Sequence, residues 1–120
     1  PLWAYVAASV SLKWKENENC GLVVGATYPE ELAQVGAIVG DLPILIPGVG
    51  TQGGDVEKTV QAGMDSKTQG MIINSSRGII FASSGPDFAE AARRETIKLS
   101  EMINQCRKGR ERKNENTTCY

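Results

Sequence analysis

The sequence predicts an α/β chain in which one helix is followed by three βα units with parallel strands. Three observations predict it. Three short apolar runs lack polar–apolar alternation, as strands covered on both faces do. Each run ends in glycine or small polar residues. After each, a helix-start signal opens a stretch with apolar residues three and four apart. With 41% hydrophobic and 22% charged residues, the chain has the composition of one globular domain with a modest core.

The first helix is expected over residues 2–15, where Trp3, Val6, Val10 and Trp14 fall on one face. A polar stretch around Asn17 and Asn19 ends it. Gly21-Leu22-Val23-Val24-Gly25-Ala26 is the first strand. Thr27 with Glu30 three residues on reads as a capping box, opening a helix that turns Leu32, Val35, Ile38 and Val39 inward and stops at Gly40. Gly36 weakens that helix by about 1 kcal/mol relative to alanine, so its formation depends on packing. Leu42-Pro43-Ile44-Leu45-Ile46 is the second strand, with Pro43 at its start, where a missing N–H is tolerated. A glycine-rich loop leads to Asp55, an N-cap for a helix carrying Val56, Thr59 and Val60 and closing near Gly63. Gly70-Met71-Ile72-Ile73 is the third strand. After a linking stretch through Phe81, Ser84-Gly85-Pro86-Asp87 starts the last helix, with proline near its first position. Its inward face is Ala89, Ala92, Thr96, Leu99, Ile103 and Cys106. Residues 1–106 thus form the folded unit. Residues 107–120 hold five basic and two acidic residues, a net of 5 − 2 = +3, without apolar rhythm, and read as a disordered, solvated tail.

Composition removes several functions. The chain has no histidine, so Ser-His-Asp and Cys-His catalysis are excluded within it. Cys20, Cys106 and Cys119 are odd in number and show no C-x-x-C spacing, which argues against a zinc site or a disulfide framework and for reduced thiols in the cytoplasm. A net charge of −1 gives no electrostatic case for nucleic acid or an anionic membrane. No apolar run approaches the roughly 20 residues that span a bilayer. The start, Pro1-Leu2-Trp3, lacks an initiator Met and the layout of a signal peptide, and reads as cut from something longer.

Parallel strands joined by helices suit either a doubly wound open sheet or part of a (β/α)₈ barrel. Three units cannot close a barrel, which takes eight and typically ~250 residues. In both architectures ligands bind at the carboxyl ends of the strands. There the chain places Pro47-Gly48-Val49-Gly50-Thr51-Gln52-Gly53-Gly54 and, one unit later, Asn74-Ser75-Ser76-Arg77-Gly78. Glycines let main-chain N–H groups approach an anion and turn toward one point. Gln52 adds an amide donor, Arg77 a planar fork suited to phosphate, and Ser75 and Ser76 add hydroxyls. This set suits a phosphomonoester. It lacks the G-x-x-x-x-G-K-[ST] of a P-loop and the acidic ribose anchor of a dinucleotide motif.

Three runs, Gly21 to Leu32, Leu45-Ile46-Pro47-Gly48-Val49-Gly50-Thr51-Gln52-Gly53-Gly54-Asp55 and Ile73-Asn74-Ser75-Ser76-Arg77-Gly78-Ile79, resemble orotidine 5′-phosphate decarboxylase. The likeness is to the carboxyl-terminal half of the longer bacterial-type version and covers nearly everything but the tail. The resemblance implies a partial (β/α)₈ TIM barrel from an enzyme of pyrimidine biosynthesis. That family, usually dimeric, converts orotidine 5′-phosphate (OMP) to UMP and CO₂ without metal or cofactor. It implies that Gln52 and Arg77 hold the phosphate with main chain around Gly53, Ser76 and Gly78, and that Pro47 and Gly48 line the pyrimidine pocket. Thr51 departs from the alanine common in the family. The family's chemistry rests on alternating Lys and Asp residues, including Asp-x-Lys-x-x-Asp. Here Asp65-Ser66-Lys67-Thr68-Gln69-Gly70 begins like that motif, ends in glycine and precedes a strand, on the wrong face of a barrel. No catalytic residue is therefore carried over, and the chain alone is expected to be inactive. Two functional readings follow: a decarboxylase portion completed by an amino-terminal half-barrel, or a non-enzymatic half-barrel module that binds a phosphorylated ligand or self-associates. The open strand edges predict homo-oligomers under either.

Overall fold

The computed structural model describes residues 1–50 and 55–117, and the side chains of these through residue 109. Helix α1 (Leu2–Ser9) runs into a π-helical turn (Val10–Trp14). Three βα units follow: β1 (Leu22–Val23) and α2 (Pro29–Val39), β2 (Ile44–Ile46) and α3 (Val56–Gly63), then β3 (Met71–Ile73) with a short α4 (Ser76–Ile80) and a long α5 (Phe88–Thr117). The strands form one parallel sheet in the order β1-β2-β3. This is the α/β order expected from the sequence.

The sheet is not covered on both faces. Pleating sends Leu22, Ile44 and Met71 to one side, and there Ile44 and Ile46 meet Leu32, Val35, Val39 and Val49 in the core. Helix α3 packs between α2 and α5 over that side. Val23, Leu45 and Ile72 share one register position on the other side. Val23 is 69% and Ile72 58% exposed. The expectation of strands buried on both faces is corrected: the helices of this chain cover one face only.

Local chemistry explains where elements begin. Asp55 caps α3, its Oδ1 accepting the Lys58 N–H at 2.9 Å. The predicted capping box at Thr27 does not form. Pro29 takes the first turn of α2, which moves the cap to Tyr28, with Glu30 and Glu31 set against the helix dipole. Gly40 ends α2 at φ 64°. In α2 the buried face is Leu32, Val35 and Val39, with Ile38 at its exposed margin.

Three further expectations change. The inward side of the first helix is Ala7, Ser9, Val10 and Ser11, with Trp3 half-buried, while Val6 and Trp14 lie exposed. That side packs against α2. Pro86 falls in the turn ahead of α5 rather than in its first turn. In that turn the Ser83 hydroxyl donates to Asp87 Oδ1 at 2.6 Å. Along α5 the covered face runs through Ala91, Ala92, Leu99, Ile103 and Cys106, leaving Ala89 and Thr96 exposed. Finally, α5 continues to Thr117, through most of the stretch expected to be disordered.

Candidate functional site

The register of the sheet assembles the site. Ile46 pairs with Ile73, so the next residues, Pro47 and Asn74, leave the sheet side by side. The Ala26 N–H donates to the Pro47 carbonyl at 2.9 Å and ties the second loop to the end of the first strand. Val49 then turns inward and is buried in the core. Gly48 and Gly50 flank it at φ 91° and 82°, values costly for any residue with a Cβ. The glycines are there so that one side chain plugs inward while the neighbouring main chain stays open to the cleft.

Between the two loops lies a cleft of about 250 Å³, lined by Pro47, Gly48, Val49, Asn74, Ser75, Ser76 and Arg77. Of the sequence-predicted site residues, Pro47, Gly48, Ser76 and Arg77 meet here. Gly78 lies one position beyond, in α4, where a Cβ would stand 2.7 Å from Ser75 Oγ. A side chain at Gly78 would require the Ser75 hydroxyl to rotate away. Gln52 and Gly53, with Thr51, lie outside the described residues. Arg77 is exposed and makes no ion pair or hydrogen bond among the described residues; the ion pair among them is Arg94–Glu95, at 3.8 Å. Among the described residues its guanidinium has no carboxylate partner, and it lines the cleft.

Ser75, expected to add a hydroxyl, lines the cleft as well, and so do Val49 and Asn74, which the sequence reading named only as members of their loops. The signal that finds them is the β2–β3 register, which puts Asn74 beside Pro47. Asp65, the near-match to a catalytic motif, is engaged elsewhere. Its Oδ1 accepts the N–H groups of Lys67 at 2.8 Å and Gln69 at 2.7 Å in the turn entering β3. That turn is at the amino end of the sheet, away from the cleft. Next to it, Ser66 donates its N–H (3.0 Å) and hydroxyl (2.9 Å) to the Asp41 carboxylate and holds that carboxyl below its ordinary range. No cluster of His, Cys, Asp and Glu fit to hold a metal occurs among the described residues. Nor is any of their helices long and apolar enough to cross a membrane.

Fold and cleft together define a parallel α/β unit with a cleft at the carboxyl ends of its strands, the arrangement of a partial (β/α)₈ barrel. The chain is similar to orotidine 5′-phosphate decarboxylases and aligns with part of their length. It is 52% identical over 105 residues to that of Janthinobacterium sp. (strain Marseille), covering 88% of this chain and 39% of the relative. It is 56% identical over 108 residues to that of Bordetella avium (strain 197N), covering 89% and 40%. The chain therefore spans about two fifths of the length of these relatives. Among solved structures it resembles Leishmania donovani OMP decarboxylase, with a TM-score of 0.72 and 38% identity over 88% of this chain and 38% of that one. It also resembles Leishmania donovani UMP synthase, with a TM-score of 0.75 and 40% identity over 88% and 22%. No protein-family model matches the chain.

Proposed function

We propose that this chain is the phosphate-gripping portion of an orotidine 5′-phosphate decarboxylase, which converts OMP to UMP and CO₂ in the cytoplasm. The observation that carries the reading is the cleft itself. Two neighbouring strand ends bring Pro47, Gly48, Ser76 and Arg77, which has no partner among the described residues, around one space, in a chain about half identical to decarboxylases. Arg77 supplies a bidentate fork and a full positive charge to the phosphate dianion. Open main chain at Gly48 and Gly50 gives the ligand close approach. Gln52 and the main chain at Gly53 complete the grip in this reading, and Gly78 keeps the Arg77 turn tight.

The chain supplies binding and no reacting centre. In a decarboxylase, interactions with a remote phosphate lower the barrier only when the groups that act on the reacting carbon are also present. UMP is therefore expected to bind weakly and OMP to release no CO₂. A titration of UMP followed by NMR, run beside a CO₂-release assay, tests both expectations. Arg77→Ala should weaken UMP binding by about 10- to 100-fold, the loss of a charge-assisted pair. Unchanged affinity would move the site elsewhere, and turnover by this chain alone would overturn the missing-centre reading.

A second reading, a non-enzymatic module that self-associates, is favoured by one observation: the apolar row of Val23, Leu45 and Ile72 on the open sheet face. Sedimentation at several concentrations tests it. A strictly monomeric chain that still binds UMP would leave the decarboxylase portion as the better account.

A further inference from the structure

Asn74 carries more than its place in a loop. The in–out alternation of β3 continues one residue past the strand: Met71 and Ile73 turn to the helix side, Ile72 and Asn74 to the exposed side. Asn74 therefore stands at the carboxyl end of the sheet on the face the helices leave open. It lines the same cleft as Pro47 and Arg77. Its amide makes no hydrogen bond among the described residues, although Asn commonly bonds its own backbone in a turn of this kind. Among the described residues, a side chain able to donate and accept thus stands without a protein partner, and so does the guanidinium that lines the same cleft.

We propose that Asn74 is a specificity-determining residue of this site, whose side-chain amide hydrogen-bonds a hydroxyl of the sugar carrying the phosphate. The inference rests on the phosphate-site reading and adds which part of the ligand is read next. The size of the cleft points to the sugar. At about 250 Å³ it is smaller than the roughly 300–1,000 Å³ of sites that enclose a whole small molecule. It accommodates a phosphate and the group joined to it. Beside the phosphate of a ribonucleotide stand sugar hydroxyls, which an amide matches as donor and acceptor at once. An apolar residue here would leave those hydroxyls without a protein partner.

The test compares ribose 5-phosphate with inorganic phosphate as probes, titrated by NMR into the chain and into its Asn74→Ala and Asn74→Leu variants. Asn74→Leu keeps the bulk and removes the amide, which separates hydrogen bonding from cleft shape. Asn74 is exposed, and unchanged circular dichroism will establish that both variants fold. The expected result is ribose 5-phosphate weakened about three- to tenfold in both variants, with inorganic phosphate changed less than about twofold. Equal weakening of both probes, or no change in either, overturns the assignment of Asn74 while leaving the phosphate site intact. Failure of the unsubstituted chain to bind either probe overturns the phosphate site and this inference with it.

Discussion

Thr59 is wholly buried in α3, and its hydroxyl has no hydrogen-bond partner among the described residues. An unsatisfied buried hydroxyl costs stability, so Thr59→Val, nearly the same in shape, is expected to stabilise the chain by about 1 kcal/mol. A urea midpoint that rises at constant slope will register it. Asp41 behaves in the opposite sense. Its carboxylate accepts two hydrogen bonds from Ser66, which lowers its pKa in the fold below the ordinary 3.8. The resulting stabilisation is complete above that ordinary value and is lost as pH falls through the lowered one. Asp41→Asn should therefore be less stable than the parent near neutral pH, and the two should converge in acid below pH 3.8. Equal stability across a pH series of melts would show that the Ser66 contact contributes nothing. Asp41 was not legible as anything but a surface charge. Its partner lies 25 residues away, and no local pattern announces a contact between two turns.

At the scale of elements, sequence reading located every βα unit because apolar runs, glycines and Asp55 are local signals. It missed α4, five residues long, since the Ser-Arg-Gly-Ile-Ile segment carries no amphipathic period. It misplaced the inward face of α1 because it weighted large apolar residues. The fold instead buries the small residues Ala7, Ser9 and Ser11. Helix α2 offers a quantitative check. A Cβ added at Gly36 would meet the Ala62 carbonyl oxygen of α3 at 3.6 Å, an ordinary contact. Alanine fits there, so Gly36→Ala should raise stability by roughly 0.5–1 kcal/mol through helix propensity, read as a higher melting temperature. Gly63 is the contrast. A Cβ there would come within 2.6 Å of Ile46 Cδ1, and Gly63→Ala should destabilise. The two glycines look alike in the sequence. Only the packing of α2, α3 and β2 tells them apart.

For the whole molecule, the decisive property is that the sheet has a covered and an open face. Ile46, completely buried among the helices, and Ile72, largely exposed, have the same side chain on neighbouring strands. Ile46→Ala should cost about 2–5 kcal/mol, whereas Ile72→Thr should change stability by less than about 0.5 kcal/mol. Denaturant titrations of the two variants will separate the faces. The candidate site followed the same division between local and distant information. Arg77 and the glycine loop stood out as motifs, while Asn74 was legible only as a loop member until β3 was set beside β2.

The shared height of Val23, Leu45 and Ile72 has a geometric result. Three apolar side chains at one register position on adjacent parallel strands act as a template. Any polypeptide that extends this sheet past the edge of β1 or β3 must bring its own side chains to that level. If it arrived one residue out of step, its polar side would be turned onto an apolar tier. Complementation by a foreign segment is thus restricted to one alignment in two, before a single side chain has been fitted.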